Sequence, residues 1–133
     1  MLKLEIVTPE KKVFDDMVDM VSVPTASGEA GILPNHAPLI SALKPGILSY
    51  SMKGATERLA IGGGFVEVST NNVSVLTDTA ETASEVNAAA AQAEREAAEK
   101  ALAANATAAI EETEAERERL DAANARLHLA SGR

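Results

Sequence analysis

The chain has 133 residues, a net charge of −8 and no cysteine. That length allows one modest core, or one small domain with an appendage. The acidic balance excludes nucleic acid and anionic lipid as direct partners, since both would repel it, and the missing cysteine excludes disulfides and thiol catalysis.

The first residues, MLKLEIVTPE, carry Lys3 and Glu5 where a signal core would be apolar. No apolar run approaches the roughly 20 residues that span a bilayer. The expectation is a soluble protein in a reducing compartment, with membrane association only through a partner.

Leu4–Val7 reads as a short strand ending at the Thr8-Pro9 turn. Val18, Met20 or Val21, and Val23 predict a strand that stops at Pro24. GILPNHAPL, residues 31–39, is a loop. SYSMK (49–53) and RLAIGGGFVEVST (58–70) are further strands, the second alternating Val66 and Val68 against Glu67 and Ser69. A tight turn is predicted at Asn71-Asn72, and Val73, Val75 and Leu76 return. Turn signals every 8 to 12 residues predict an antiparallel β-sandwich over residues 1–82.

From Ala80 to Ser84 the composition changes. All five prolines lie between Pro9 and Pro45, and seven of the eight glycines between Gly28 and Gly64. Beyond lies AAAAQAEREAAEKALAANATAA, rich in the best helix former. Residues 83–133 are predicted to form a two-helix antiparallel hairpin, with helices over about 84–104 and 108–129. Thr82 and Glu85 have capping-box spacing, and Thr107 is the predicted N-cap of the second helix.

The larger apolar residues of that hairpin are few: Val86, Leu102, Ile110, Leu120, Leu127 and Leu129. Any seam must therefore be mostly alanine, at about 0.8 kcal/mol per buried methyl. Glu112/Glu116 and Glu114/Glu118 repel at i,i+4, offset in part by Glu96/Lys100 and Arg117/Asp121. The prediction is a pair stable as helix and weakly bound as a pair, free to undock without unfolding the sandwich.

His36 has no nucleophile elbow to serve, and His128 is the only other histidine, too distant in sequence to suggest a metal set. It reads as part of a shaped loop, with Pro34 and Pro38 fixing φ and Gly31 permitting a turn. No catalytic residue, metal or cofactor is predicted. Gly62-Gly63-Gly64 continues as strand with no following lysine, so a bulge or close backbone approach outweighs a phosphate loop. Arg117, Arg119 and Arg126 either pair with neighbouring acids on a solvated face or dock an acidic partner.

LEIVTPEKKVF, GEAGILPNHAPLI and GGGFVEVSTNNVSVLTDTAE, in this order and spacing, resemble the epsilon subunit of the rotary F-type ATP synthase over essentially the whole chain. Pro34-Asn35-His36-Ala37-Pro38 is most similar to cyanobacterial and plastid members. The resemblance implies a non-catalytic central-stalk subunit, peripheral on the cytoplasmic or stromal face of an energy-transducing membrane such as the thylakoid. It implies binding to the gamma subunit and to the ring of c subunits. The loop facing them would hold Glu29, Gly31, Leu33, Pro34, Asn35, His36, Ala37 and Pro38. The helices would either fold on the sandwich or extend towards the alpha and beta subunits and block hydrolysis, with Arg117, Arg119 and Arg126 on an acidic segment of beta. Some family members bind ATP through an I-D-x-x-R-A motif. Here the stretch runs Val86, Asn87, Ala88, Ala89, Ala90, Ala91, so a carboxylate and a guanidinium are lost and weak or absent ATP binding is expected. An ATP-sensing module, or an unrelated β-domain with a helical clamp, remain the alternatives.

Overall fold

Along Leu2–Val7 every second residue is apolar, and Leu2, Leu4 and Ile6 are fully buried. The computed structural model, which describes residues 1–107 and 109–131, makes this strand β1. The others are β2 (Lys12–Val18), β3 (Met20–Thr25), β4 (Gly28–Ile32), β5 (Leu39–Met52), β6 (Ala55–Ser69), β7 (Asn72–Thr77) and β8 (Ala80–Glu81). They form one continuous sheet in the order β2-β1-β7-β6-β5-β3-β4, with β8 paired to β6. The sheet folds over a single core that includes Leu4, Ile6, Val21, Val23, Leu48, Ile61, Val66 and Val75. Phe14 and Tyr50 meet with ring centroids 4.5 Å apart.

The sandwich followed by two helices agrees with expectation, with one correction. The sheet is not wholly antiparallel, because β1 runs parallel to β7, with Leu4 opposite Val73 and Ile6 opposite Val75. A crossover of this kind joins residues some seventy positions apart and leaves no local signature. Two smaller expectations also shift. β3 continues through Pro24 to Thr25. The tight turn is Thr70-Asn71, with Thr70 at φ 41, and Asn72 already belongs to β7.

The fold-over is made at Gly62-Gly63-Gly64. Pairing between β5 and β6 keeps one register from Leu39↔Val68 to Met52↔Ala55, so there is no bulge there. What changes is the face. Leu59 and Ile61 point into the core before the glycines, and Val66 and Val68 after them. Two residues at positive φ, Gly63 (99) and Gly64 (132), invert the alternation. A Cβ on Gly64 would stand 1.9 Å from the Leu76 carbonyl oxygen. The close approach expected from the sequence is therefore present. Beyond the corner, Ala60 and its partner Glu81 face away from the core.

A single 3-10 turn, Ala83–Glu85, leads to α1 (Ala88–Ala104); a second, Ile110–Thr113, leads to α2 (Glu114–Ala130). Both helices start later than expected. Thr82 and Glu85 close the first 3-10 turn: the Glu85 carboxylate accepts from the Thr82 N–H at 2.9 Å and hydroxyl at 3.0 Å. Those bonds, the backbone one foremost, hold the Glu85 carboxyl below its ordinary value. The α1 N-cap is Asn87, whose Oδ1 accepts from the Ala90 N–H at 3.0 Å. Thr107 lies in the interhelical turn, and Thr113 occupies the N-cap position of α2. Residue 108, where the second helix was expected to begin, lies outside the described residues.

Both buried residues of α1 are alanines, Ala91 and Ala98, as the sparse apolar content requires. Among the described residues the helical ion pairs differ from those expected. Arg95 pairs with Glu99 at 3.3 Å. Glu96 accepts from Gln92 instead of meeting Lys100, and Arg117 turns away from Asp121 to the 3-10 turn that precedes α2.

Candidate docking and switch surfaces

Three sets of residues carry the functional expectations, and the fold separates them. The first is the loop after β4. Leu33-Pro34-Asn35-His36 is a β-turn closed by the His36 N–H on the Leu33 carbonyl at 3.2 Å. Pro34 presets φ at the second position, and Asn35 takes φ 64 at the third, the pattern of a type II turn. Gly31 was expected to permit the turn. It lies instead in β4 opposite Ser22, so the left-handed position belongs to Asn35. The His36 ring nitrogen Nδ1 lies 2.7 Å from the Ala37 carbonyl, which fixes its tautomer with the proton on Nδ1. Pro38 and Ala37 are exposed and lead into β5.

Glu29 does not join this turn. It stands in β4 opposite Pro24, where the Ser22 hydroxyl donates to its carboxylate. Three residues, Ala30 to Ile32, lie between Glu29 and Leu33, a span of roughly 13 Å over four steps at the usual rise. The predicted loop surface is thus two places on the sandwich rather than one.

The second set was not found from the sequence. Ile40 (74% exposed), Phe65 (59%) and Leu76 (57%) point outward from the half of the sheet that the helices leave uncovered. Ala42, Phe65 and Leu76 are direct cross-strand neighbours on β5, β6 and β7. Their alternation against Val66 and Val75 was legible, but which face would be covered was not. Ile40 stands two residues along β5 from Ala42, opposite Glu67, and large apolar side chains close together on an open sheet face mark an interaction surface.

The third set is the joint between hairpin and sandwich. Ala125 and Leu129 of α2 pack on Ala60, with Ile47 and Val86 at the edge. Beside them Arg126 Nε lies 2.8 Å from Glu81 Oε1, and Nη2 donates to Oε2 at 3.4 Å. The Nε–H is not aimed along that short contact, so the pair is held by charge more than by a bidentate fork. Arg119 bridges to Glu94 of α1 at 3.0 Å. Arg117 donates to the Ile110 carbonyl and, at 3.3 Å, to Thr113 Oγ1. All three arginines are therefore engaged inside the chain in this conformation.

An open cleft of about 740 Å³ lies between sandwich and hairpin. Its charged lining comprises Glu10, Asp78, Glu81, Glu85 and Glu94 against Lys11, Arg119 and Arg126. Both arginines are already paired with acids of the same lining. The stretch expected to correspond to an ATP motif serves the helix: Val86 borders the joint, Asn87 caps α1, Ala90 receives that cap and Ala91 is buried. A polyphosphate would meet excess negative charge here. Titration calorimetry of the chain with ATP is expected to show no saturable heat up to millimolar nucleotide; a micromolar dissociation constant would contradict this.

The sandwich thus has one open face with exposed apolar residues and carries a helical arm held by a few side chains and one ion pair. Residues 1–83 match the family model for the ATP synthase Delta/Epsilon chain, beta-sandwich domain. The ATP synthase epsilon chain of Carboxydothermus hydrogenoformans is 50% identical over 91 residues, covering 68% of either chain. That of Pelotomaculum thermopropionicum is 47% identical over 93 residues, covering 70% of this chain and 69% of its own. Among solved structures, a chain of the Euglena gracilis mitochondrial ATP synthase, in its OSCP/F1/c-ring cryo-EM structure, superimposes with a TM-score of 0.77 at 23% identity. The match covers 98% of this chain and 81% of that one. The chain belongs to the ATP synthase epsilon chain family, and as such is a non-catalytic subunit of the central stalk. These relatives show the family; the cyanobacterial or plastid-like form expected from Pro34–Pro38 is narrower than what they show.

Proposed function

We propose that residues 1–82 dock the chain to the gamma subunit and the c-ring, and that residues 83–133 are an arm that leaves the sandwich to restrain ATP hydrolysis. The observation that carries the first part is the exposed cluster of Ile40, Phe65 and Leu76, which no element of this chain covers among the described residues. It groups three large apolar side chains on a chain of net charge −8, and it suits the apolar core of a permanent interface. We assign it to gamma. The Glu29 end of β4 and the 33–38 turn are the places for the polar loops of the ring. Extended, α1 and α2 would each reach about 26 Å towards alpha and beta. Arg117, Arg119 and Arg126 would then exchange their internal partners for an acidic segment of beta. The alternative of an ATP-sensing module is disfavoured by the acidic cleft.

The membrane would be energy-transducing, with the chain peripheral to it. No helix among the described residues is long and apolar enough to cross. The bacterial relatives favour a plasma membrane, whereas a thylakoid rests on the Pro34–Pro38 form alone.

Phe65→Asp places a charge in the middle of the cluster without touching the core. It is expected to weaken binding to isolated gamma by at least about a hundredfold, the scale of a central interface anchor. Binding within threefold of wild type would remove the assignment.

A further inference from the structure

The turn at residues 33–36 is not held by its own chain segment alone. The Asn35 N–H donates to Asn71 Oδ1 at 2.8 Å, and Asn71 Nδ2 donates to Asn35 Oδ1 at 3.4 Å. Asn71 is anchored in turn, because its carbonyl accepts from the Lys3 N–H at 2.8 Å. Three segments remote in sequence (β1, the turn after β4 and the turn between β6 and β7) therefore meet at one residue, β1 on its carbonyl and the turn after β4 on its amide. Asn35 is at φ 64 and Thr70 at φ 41, two conformations that non-glycine residues adopt when the surroundings hold them.

We propose that Asn71 is the positioning residue of the 33–38 turn, fixing it to the sheet so that Leu33 and His36 are presented to the rotor in one geometry. This rests on the reading that the turn meets the rotor. Leu33 is 58% exposed and makes no part of the core, so its place is set by the backbone that carries it. That backbone has one hydrogen bond within the turn and one to Asn71, which also donates to the Asn35 side chain. A contact that passes torque must not yield when loaded, and the amide pair supplies stiffness that a lone proline turn lacks.

The test uses epsilon-depleted ATP synthase in vesicles, reassembled with wild-type chain, Asn71→Ala or Asn71→Asp. Aspartate keeps the acceptor for the Asn35 N–H; alanine removes both bonds. For Asn71→Ala, amide protection at Asn35 and His36 is expected to fall about fivefold or more, the scale of one or two net hydrogen bonds. Sheet protection stays unchanged. The variant still binds, but protons pumped per ATP hydrolysed fall, and Asn71→Asp restores most of that ratio. Unchanged protection in the alanine variant would overturn the lock. Lost protection with an unchanged ratio would overturn the positioning role, as would an aspartate variant no better than alanine. Failure of the wild-type chain to bind would instead sink the rotor reading, and this inference with it.

Discussion

Gly64→Ala is expected to cost the sandwich at least about 4 kcal/mol, the tail of single substitutions reserved for overpacking and backbone strain together. The new Cβ would stand 1.9 Å from the Leu76 carbonyl oxygen, and Leu76 is held there by its pairing with Phe65. Residue 64 also sits at φ 132, which L side chains avoid. The neighbours are graded. A Cβ on Gly62 meets the Thr79 hydroxyl at 2.5 Å, a side-chain atom that can rotate away. One on Gly63 finds 3.4 Å to the Leu43 carbonyl, but keeps the strain of φ 99. Urea denaturation should rank Gly64→Ala as the most damaging of the three. A loss below about 1 kcal/mol at Gly64 would mean that the corner does not constrain the fold. The consequence reaches the joint, since the corner turns Ala60 and Glu81 towards α2.

Glu81→Gln is the second large effect, and it acts on the arm rather than the sandwich. It keeps the shape of the side chain and removes the charge facing Arg126. The two side chains are 25% and 28% exposed, between a surface pair and a buried one. A contribution of about 1–2 kcal/mol follows from that position. The docked population should shift five- to thirtyfold towards release, at about 1.4 kcal/mol per decade. Amide exchange in α2 should rise while β1 and β7 keep their protection. In reassembled enzyme Glu81→Gln should strengthen inhibition of hydrolysis, because Arg126 is freed with its charge intact. Arg126→Ala should not, since it removes the internal and the external contact together. The same direction of change in both variants would count against partner exchange.

Much of the fold was legible. Alternation around Val66 and Val68, the Pro/Gly-rich first half and the alanine-rich second half all act locally, and they placed the sandwich, the hairpin and the alanine seam. What escaped depends on contacts remote in sequence. β1 beside β7, Asn35 beside Asn71 and Arg126 beside Glu81 each join distant segments, with no periodicity to announce them. Thr82 and Glu85 show a subtler limit. Their spacing identified a real cap, but the turn it closes is a 3-10 turn, and α1 starts afresh at Asn87. For the candidate site, residue types singled out the 31–39 stretch, where the structure places a type II turn at Leu33–His36. The open apolar cluster was missed because alternation tells which residues share a face, not which face a helix will later cover.

The central claim is that this chain works on the rotor of an ATP synthase and restrains its reverse reaction. Purified chain added to epsilon-depleted complex, with ATP hydrolysis followed against chain concentration, tests it most directly. Saturable binding at one chain per complex is expected, with a fall in hydrolysis that a chain truncated after Glu81 does not produce. Hydrolysis unchanged by saturating chain, or equal inhibition by the truncated one, would contradict it.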